Sequence, residues 1–196
     1  LMNVGIYCYE NAEVLDFAGP FEVFSTASRL CGESPPFEVF LISEKPGPVL
    51  ARAGFSVSPN YHFANHPTID LLIVVGGVHD LEMNKPAVLA WIKTQARQAS
   101  LVASVCTGVF LLAAADVVTD HKVTTHWEDV VSLRERFPNL HVCEETRWVD
   151  SGNIISSGGI SAGIDMSLYI VGRLQGSELA VRTAKQMEFD WIWPEV

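Results

Sequence analysis

Leu101-Val102-Ala103-Ser104-Val105-Cys106-Thr107-Gly108-Val109-Phe110-Leu111-Leu112 decides how this chain is read. A β-branched apolar run stops at Cys106, and the small pair Thr107-Gly108 opens a second apolar segment, Val109 to Ala115, made of good helix formers. That pattern predicts strand, sharp turn, helix. A side chain at such a turn stands clear of the sheet edge, and the N–H groups that follow face the place where an oxyanion would form. Cys106 is therefore the candidate nucleophile. Free cysteines are more often small apolar core residues, but a core cysteine seldom stands where a strand meets a glycine-opened helix.

Working outward, Asp70 to Val75 is a continuous apolar strand that ends in Gly76-Gly77. The helix predicted over Pro86 to Ala99 carries Val88, Leu89, Ile92, Ala96 and Ala99 on one face, and the Cys106 strand follows it. Strand, helix, strand implies a parallel pair. Upstream, Val4 to Tyr9 reads as a first strand, Pro20 to Leu30 as a helix and Phe37 to Ile42 as a second strand, with turns and an edge hairpin between Pro46 and Pro59. Downstream, Lys122 to Thr125 reads as a short strand and Val130 to Phe137 as a helix. A hairpin follows across Ser151-Gly152, then helices over Ser161 to Leu174, with Ser161 as its cap, and over Ser177 to Phe189. The alternation predicts an α/β fold: a three-layer sandwich with a mostly parallel central sheet covered on both faces. Residues 1–196 read as one domain, without repeat or linker.

The composition narrows the partners. Asp plus Glu number 23 against 13 Lys plus Arg, a formal charge of −10, and no basic run could track phosphates, so nucleic acid is a poor partner. Apolar residues make up 48 %, which fits a packed core. The most apolar run is too short to span a bilayer and is broken by the turn. Cys8, Cys31, Cys106 and Cys143 form no CxxC pair, and no leader-like segment precedes the first strand, so a reducing cytoplasm is expected.

Asp16 lies in Val14-Leu15-Asp16-Phe17-Ala18-Gly19-Pro20, where a carboxylate is either a helix cap or a partly desolvated acid in a site. Gly76-Gly77 permits close backbone approach to a ligand, or simply makes a tight turn. His126 follows the short strand after the Cys106 helix. In a parallel sheet it would reach the same carboxyl edge, either as a partner for Cys106 or as an ordinary polar strand end. His62 and His66 lack a suitably spaced third ligand, so no metal is expected, and the glycine pairs match no nucleotide-binding pattern, so no cofactor is expected.

Together these pieces resemble the ThiJ/PfpI family within the class I glutamine amidotransferase-like superfamily. The resemblance runs through Val14 to Val23, Val75-Gly76-Gly77, Ser104 to Gly108, Thr124-Thr125-His126-Trp127 and Gly159 to Asp165. It implies a flavodoxin-like sheet with a nucleophile elbow at Cys106. Thr107 after the cysteine, with Asp16 before Gly19-Pro20, is most similar to members that hydrate isonitriles, and is also similar to the ligand domain of AraC-type transcription regulators. Glyoxalase and deglycase relatives are a further alternative, although they carry Glu where this chain has Asp16. The resemblance implies attack by Cys106 on a small-molecule isonitrile, a proton from Asp16, and a role for Thr107. It further implies stabilisation of charge by the N–H groups of Gly77 and Thr107, hydration of a thioimidate, and a homodimer. On physical grounds the elbow helix should lower the Cys106 pKa through its dipole. Asp16, beside Leu15 and Phe17, should hold a proton above the ordinary carboxyl range and hydrogen-bond Cys106.

Overall fold

A computed structural model describes residues 1–194. The strands are β1 (Met2–Tyr7), β2 (Phe37–Ser43), β3 (Val49–Leu50), β4 (Ser56–Val57), β5 (Tyr61–His62), β6 (Leu71–Val74), β7 (Leu101–Val105), β8 (Lys122–Val123), β9 (His141–Val142), β10 (Trp148–Asp150) and β11 (Ile154–Ser157). The helices are α1 (Val14–Arg29), α2 (Asp80–Met83), α3 (Pro86–Gln98), α4 (Gly108–Ala114), α5 (Val130–Arg136), α6 (Ala162–Gln175) and α7 (Ser177–Gln186).

Seven strands form the central sheet in the order β10-β11-β7-β6-β1-β2-β5. All its pairings are parallel except the β10–β11 hairpin. Every residue of β6 and β7 is buried, which explains why their sequences are unbroken apolar runs rather than alternating ones. The crossover from β1 to β2 runs one way along the sheet and that from β6 to β7 the other. With right-handed crossovers, α1 and α3 therefore cover opposite faces. Helices α1, α6 and α7 pack together, as do α2, α3 and α4. The predicted three-layer sandwich is the fold observed.

Four local expectations are corrected. Helix α1 begins at Val14 rather than Pro20: the apolar Val14–Gly19 stretch is already helical, and Pro20 lies inside the helix. The strand after α4 does not join the central sheet; β8 pairs with β9 in a separate two-stranded ribbon. Ser161 occupies the N-cap of α6 without a side-chain cap bond; its hydroxyl accepts from Arg147. Helix α7 ends at Gln186, three residues before Phe189, which packs against the core as part of the following segment. The expected hairpin between Pro46 and Pro59 is present as β3 and β4, apart from the main sheet.

Candidate active site

Cys106 joins β7 to α4 in the left-handed region, at φ +57. A non-glycine residue is held there only by its surroundings. Its N–H is shared between the carbonyls of Ser157 at 3.2 Å and Gly158 at 3.1 Å, and its own carbonyl accepts from the Thr125 hydroxyl at 3.0 Å. The neighbouring strand end also leaves room. A Cβ at Gly76 would stand 2.5 Å from the Thr107 nitrogen and 2.8 Å from the Cys106 Cβ, and a Cβ at Gly108 would collide with the Val74 carbonyl. The glycines are thus needed for close approach between the β6 end and the elbow.

Asp16 sits in the first turn of α1, not at its cap, which is Glu13. It is fully buried, and one carboxylate oxygen, Oδ2, accepts from the Gly76 N–H at 3.1 Å. The other, Oδ1, makes no hydrogen bond. Burial, with the Glu13 charge adding to it, pushes the Asp16 carboxyl up to about 7; the Gly76 N–H, and more weakly the Ile160 N–H and the Cys106 thiol, oppose the rise. The raised carboxyl expected from Leu15 and Phe17 is therefore present, while the expected well-formed hydrogen bond to Cys106 is not.

The expected acidification of Cys106 is corrected. Burial, then the Asp16 carboxylate, drives its thiol well above the ordinary range, and the Thr107 N–H and hydroxyl beside the sulfur only moderate this. Helix α4 starts two residues later, at Gly108, and is seven residues long, so its dipole is too small to prevail. Two buried acids this close titrate as a pair. Above about 7 the pair holds one proton, mainly on the Cys106 sulfur; its transfer to Asp16 leaves a thiolate.

Gly77 is also used differently from expectation. Its N–H donates to the Thr107 Oγ1 at 3.1 Å, and the Thr107 hydroxyl donates to the Gly77 carbonyl at 3.2 Å. The Gly77 donor is thus engaged in holding the two turns together, and the Thr107 N–H is the one that faces the sulfur.

His126 reaches this site despite the misplaced strand. Together with Cys106, Thr107, Gly77, Ile160 and the Glu13–Arg52 ion pair, it lines a cavity of about 350 Å³. Its Nδ1 accepts from the Glu128 N–H at 3.3 Å and lies 3.6 Å from Asp129 Oδ2. In the neutral ring this puts the proton on Nε2. Arg52 and Asp129 are site residues that no motif marks, and Ile160, although inside the Gly159 to Asp165 segment, is not singled out as one. Among the described residues no group of three or more His, Cys, Asp or Glu is placed to hold a metal. His66 Nε2 instead accepts from the Trp91 indole at 3.0 Å. No helix among the described residues is long and apolar enough to cross a membrane.

A sheet of this order with a strained cysteine elbow beside a buried carboxyl defines a class, and comparison with known proteins agrees. The model of the DJ-1/PfpI family matches residues 2–173, and the chain belongs to that family. It is 31 % identical to isonitrile hydratase of Pseudomonas putida over 96 % of this chain and 78 % of that protein. It is also 31 % identical to the HTH-type transcriptional regulator CdhR of Pseudomonas aeruginosa over 92 % of this chain, spanning about half, 53 %, of that longer protein. Among solved structures, a ThiJ/PfpI family protein from Pseudomonas syringae superposes with a TM-score of 0.86 at 24 % identity, covering 99 % of this chain and 77 % of that one.

Proposed function

We propose that this protein hydrates isonitriles to N-substituted formamides. The observation that carries the reading is a cysteine held in a strained turn beside a buried acid whose proton comes off at about 7. Similarity to an isonitrile hydratase supports the same choice. The ionised Asp16 takes the thiol proton as the Cys106 sulfur bonds to the terminal isonitrile carbon, then returns it to that carbon, giving a thioimidate. Water adds across its C=N bond, the C–S bond breaks, and the formamide leaves as the thiol is regenerated. In this reading the Thr107 N–H stabilises charge near the sulfur and His126, which lines the same cavity, assists the water step. The same reading takes residues 1–196 as one domain working as a cytoplasmic homodimer.

A second reading, a ligand-sensing domain, is favoured by the similarity to the regulator CdhR. One experiment separates them. Purified protein is offered a panel of isonitriles, methylglyoxal and glutamine, with product measured by chromatography. Formamide production that Cys106→Ser abolishes is the expected result. Binding without turnover, or turnover indifferent to Cys106→Ser, overturns the hydratase reading.

A further inference from the structure

The cavity over Cys106 carries more negative charge than its cations balance. Three carboxylates line it, Glu13, Glu128 and Asp129, against one guanidinium, Arg52. Glu13 and Arg52 pair with each other at 3.3 Å, which leaves Glu128 and Asp129 over. Among the described residues neither of these two lies within ion-pair reach of a Lys or Arg. The neighbour of Asp129 is His126, whose Nδ1 lies 3.6 Å from Oδ2. That nitrogen already accepts from the Glu128 N–H at 3.3 Å, so the neutral ring offers Asp129 no proton there.

This charge is felt at the reacting atoms. Behind burial and the Asp16 carboxylate, Asp129 is a further cause of the raised Cys106 thiol, and Glu13 adds to burial in the same way at Asp16. Above about 7 the Asp16–Cys106 pair keeps one negative charge of its own. The Asp129 side chain is only 33 % exposed, so water screens it in part. A cleft lined by one sign of charge concentrates ions of the other sign and depletes its own.

We propose that this cavity selects by charge what reaches Cys106: a molecule with a positive group beside its reacting atom is drawn in, one with a carboxylate or sulfonate there is turned away, and Asp129 and Glu128 set the discrimination. This rests on Cys106 being the attacking group, whatever small molecule it attacks. For isonitriles it names the poor ones, those whose N-substituent carries an anion.

Two methanethiosulfonates of similar size and opposite charge test it, one ending in trimethylammonium and one in sulfonate. With each, the Cys106 sulfur bonds to the divalent sulfur of the reagent, the reagent's S–S bond breaks and methanesulfinate leaves, while the thiol proton passes to Asp16 or buffer. Rates at Cys106, assigned by mapping non-reduced peptides, are divided by rates with 2-mercaptoethanol, whose thiolate carries the same charge. The cation-to-anion ratio then cancels any change in the reactivity of the thiol itself. At low salt it should be roughly tenfold or more, and it should fall toward one in about 1 M salt. Asp129→Asn and Glu128→Gln remove charge at nearly constant size, and each should lower the ratio several-fold, while Asp129→Glu should keep it. A wild-type ratio at or below one would give the cavity to anions through Arg52 and overturns the proposal. So does a ratio that both neutral variants leave unchanged, or one that salt does not move. Because no isonitrile is involved, a protein that shows the ratio but makes no formamide refutes only the hydratase reading.

Discussion

Asp16→Asn should stabilise the protein, and by an amount that depends on pH. Asp16 is fully buried, and its carboxyl moves from an ordinary 3.8 to about 7 on folding. A carboxyl raised in this way favours the folded state while protonated. Its contribution is complete below 3.8 and is lost as pH climbs toward about 7, where the buried group must ionise. At about 1.4 kcal/mol per tenfold change in proton affinity, the cost relative to the protonated state is about 1.7 kcal/mol at pH 5 and about 4 kcal/mol at pH 8. Asparagine keeps the shape and never ionises. It brings its own penalty, since its NH2 group finds no better partner than the lone Oδ1 has, but that penalty does not change with pH. Urea unfolding of both proteins at pH 5 and pH 8 therefore isolates the ionisation: the advantage of Asp16→Asn should grow by about 2–3 kcal/mol between the two. A pH-independent difference would refute the claim that Asp16 is the group titrating near neutrality.

Other expectations follow from the same geometry. Turnover should rise as pH passes through about 7, because below it both Asp16 and Cys106 are protonated, and the rise should vanish in Asp16→Asn; a pH–rate profile of kcat/KM checks this. In that variant the Cys106 thiol should also titrate lower than in the wild type, since a carboxylate that opposes its ionisation is gone, as read by thiolate absorbance. Gly76→Ala should fail to fold or lose the elbow, because its Cβ would meet backbone and Cys106 at 2.5–2.8 Å; thermal melting and Cys106 alkylation report it. Thr107→Val removes both bonds to Gly77 and leaves that N–H unpartnered, while the carbonyl keeps His79 Nδ1 at 3.4 Å; a loss of about 1–3 kcal/mol is expected in urea unfolding, and the effect on turnover should be milder than that of Cys106→Ser.

The layers and the elbow were legible because the central strands are buried on both sides and so print as uninterrupted apolar runs. The start of α1 was not, since Pro20 looks like a first helical residue and only packing shows that the helix extends back to Val14. That error moved Asp16 from a helix's inner face to a loop, where the cap is the commoner reading and the buried acid the other. The strand before His126 was assigned to the wrong sheet because a few residues carry no signal of their partner; His126 arrives at the cavity by way of the β8–β9 ribbon. Arg52 and Asp129 could not be found, since the segments that carry them meet only after folding, and Ile160, although inside Gly159 to Asp165, shows its place only through its backbone angle and the cavity it lines. The acidity of Cys106 was misjudged because the sequence displays a helix start but not the depth of burial that outweighs it.

The sheet order has a consequence for synthesis. Strand β7 lies between β6 and β11, and the Cys106 N–H is held only by the carbonyls of Ser157 and Gly158. A nascent chain that has emerged as far as the cysteine can pair β7 with β6 but presents Leu101–Val105 as an unpaired apolar edge, a template for wrong partners. The turn that exposes the sulfur is therefore not set until the ribosome has delivered Gly158. Asp16, on helix α1, is translated long before, so the acid and the thiol take their final places only once β11 pairs with β7.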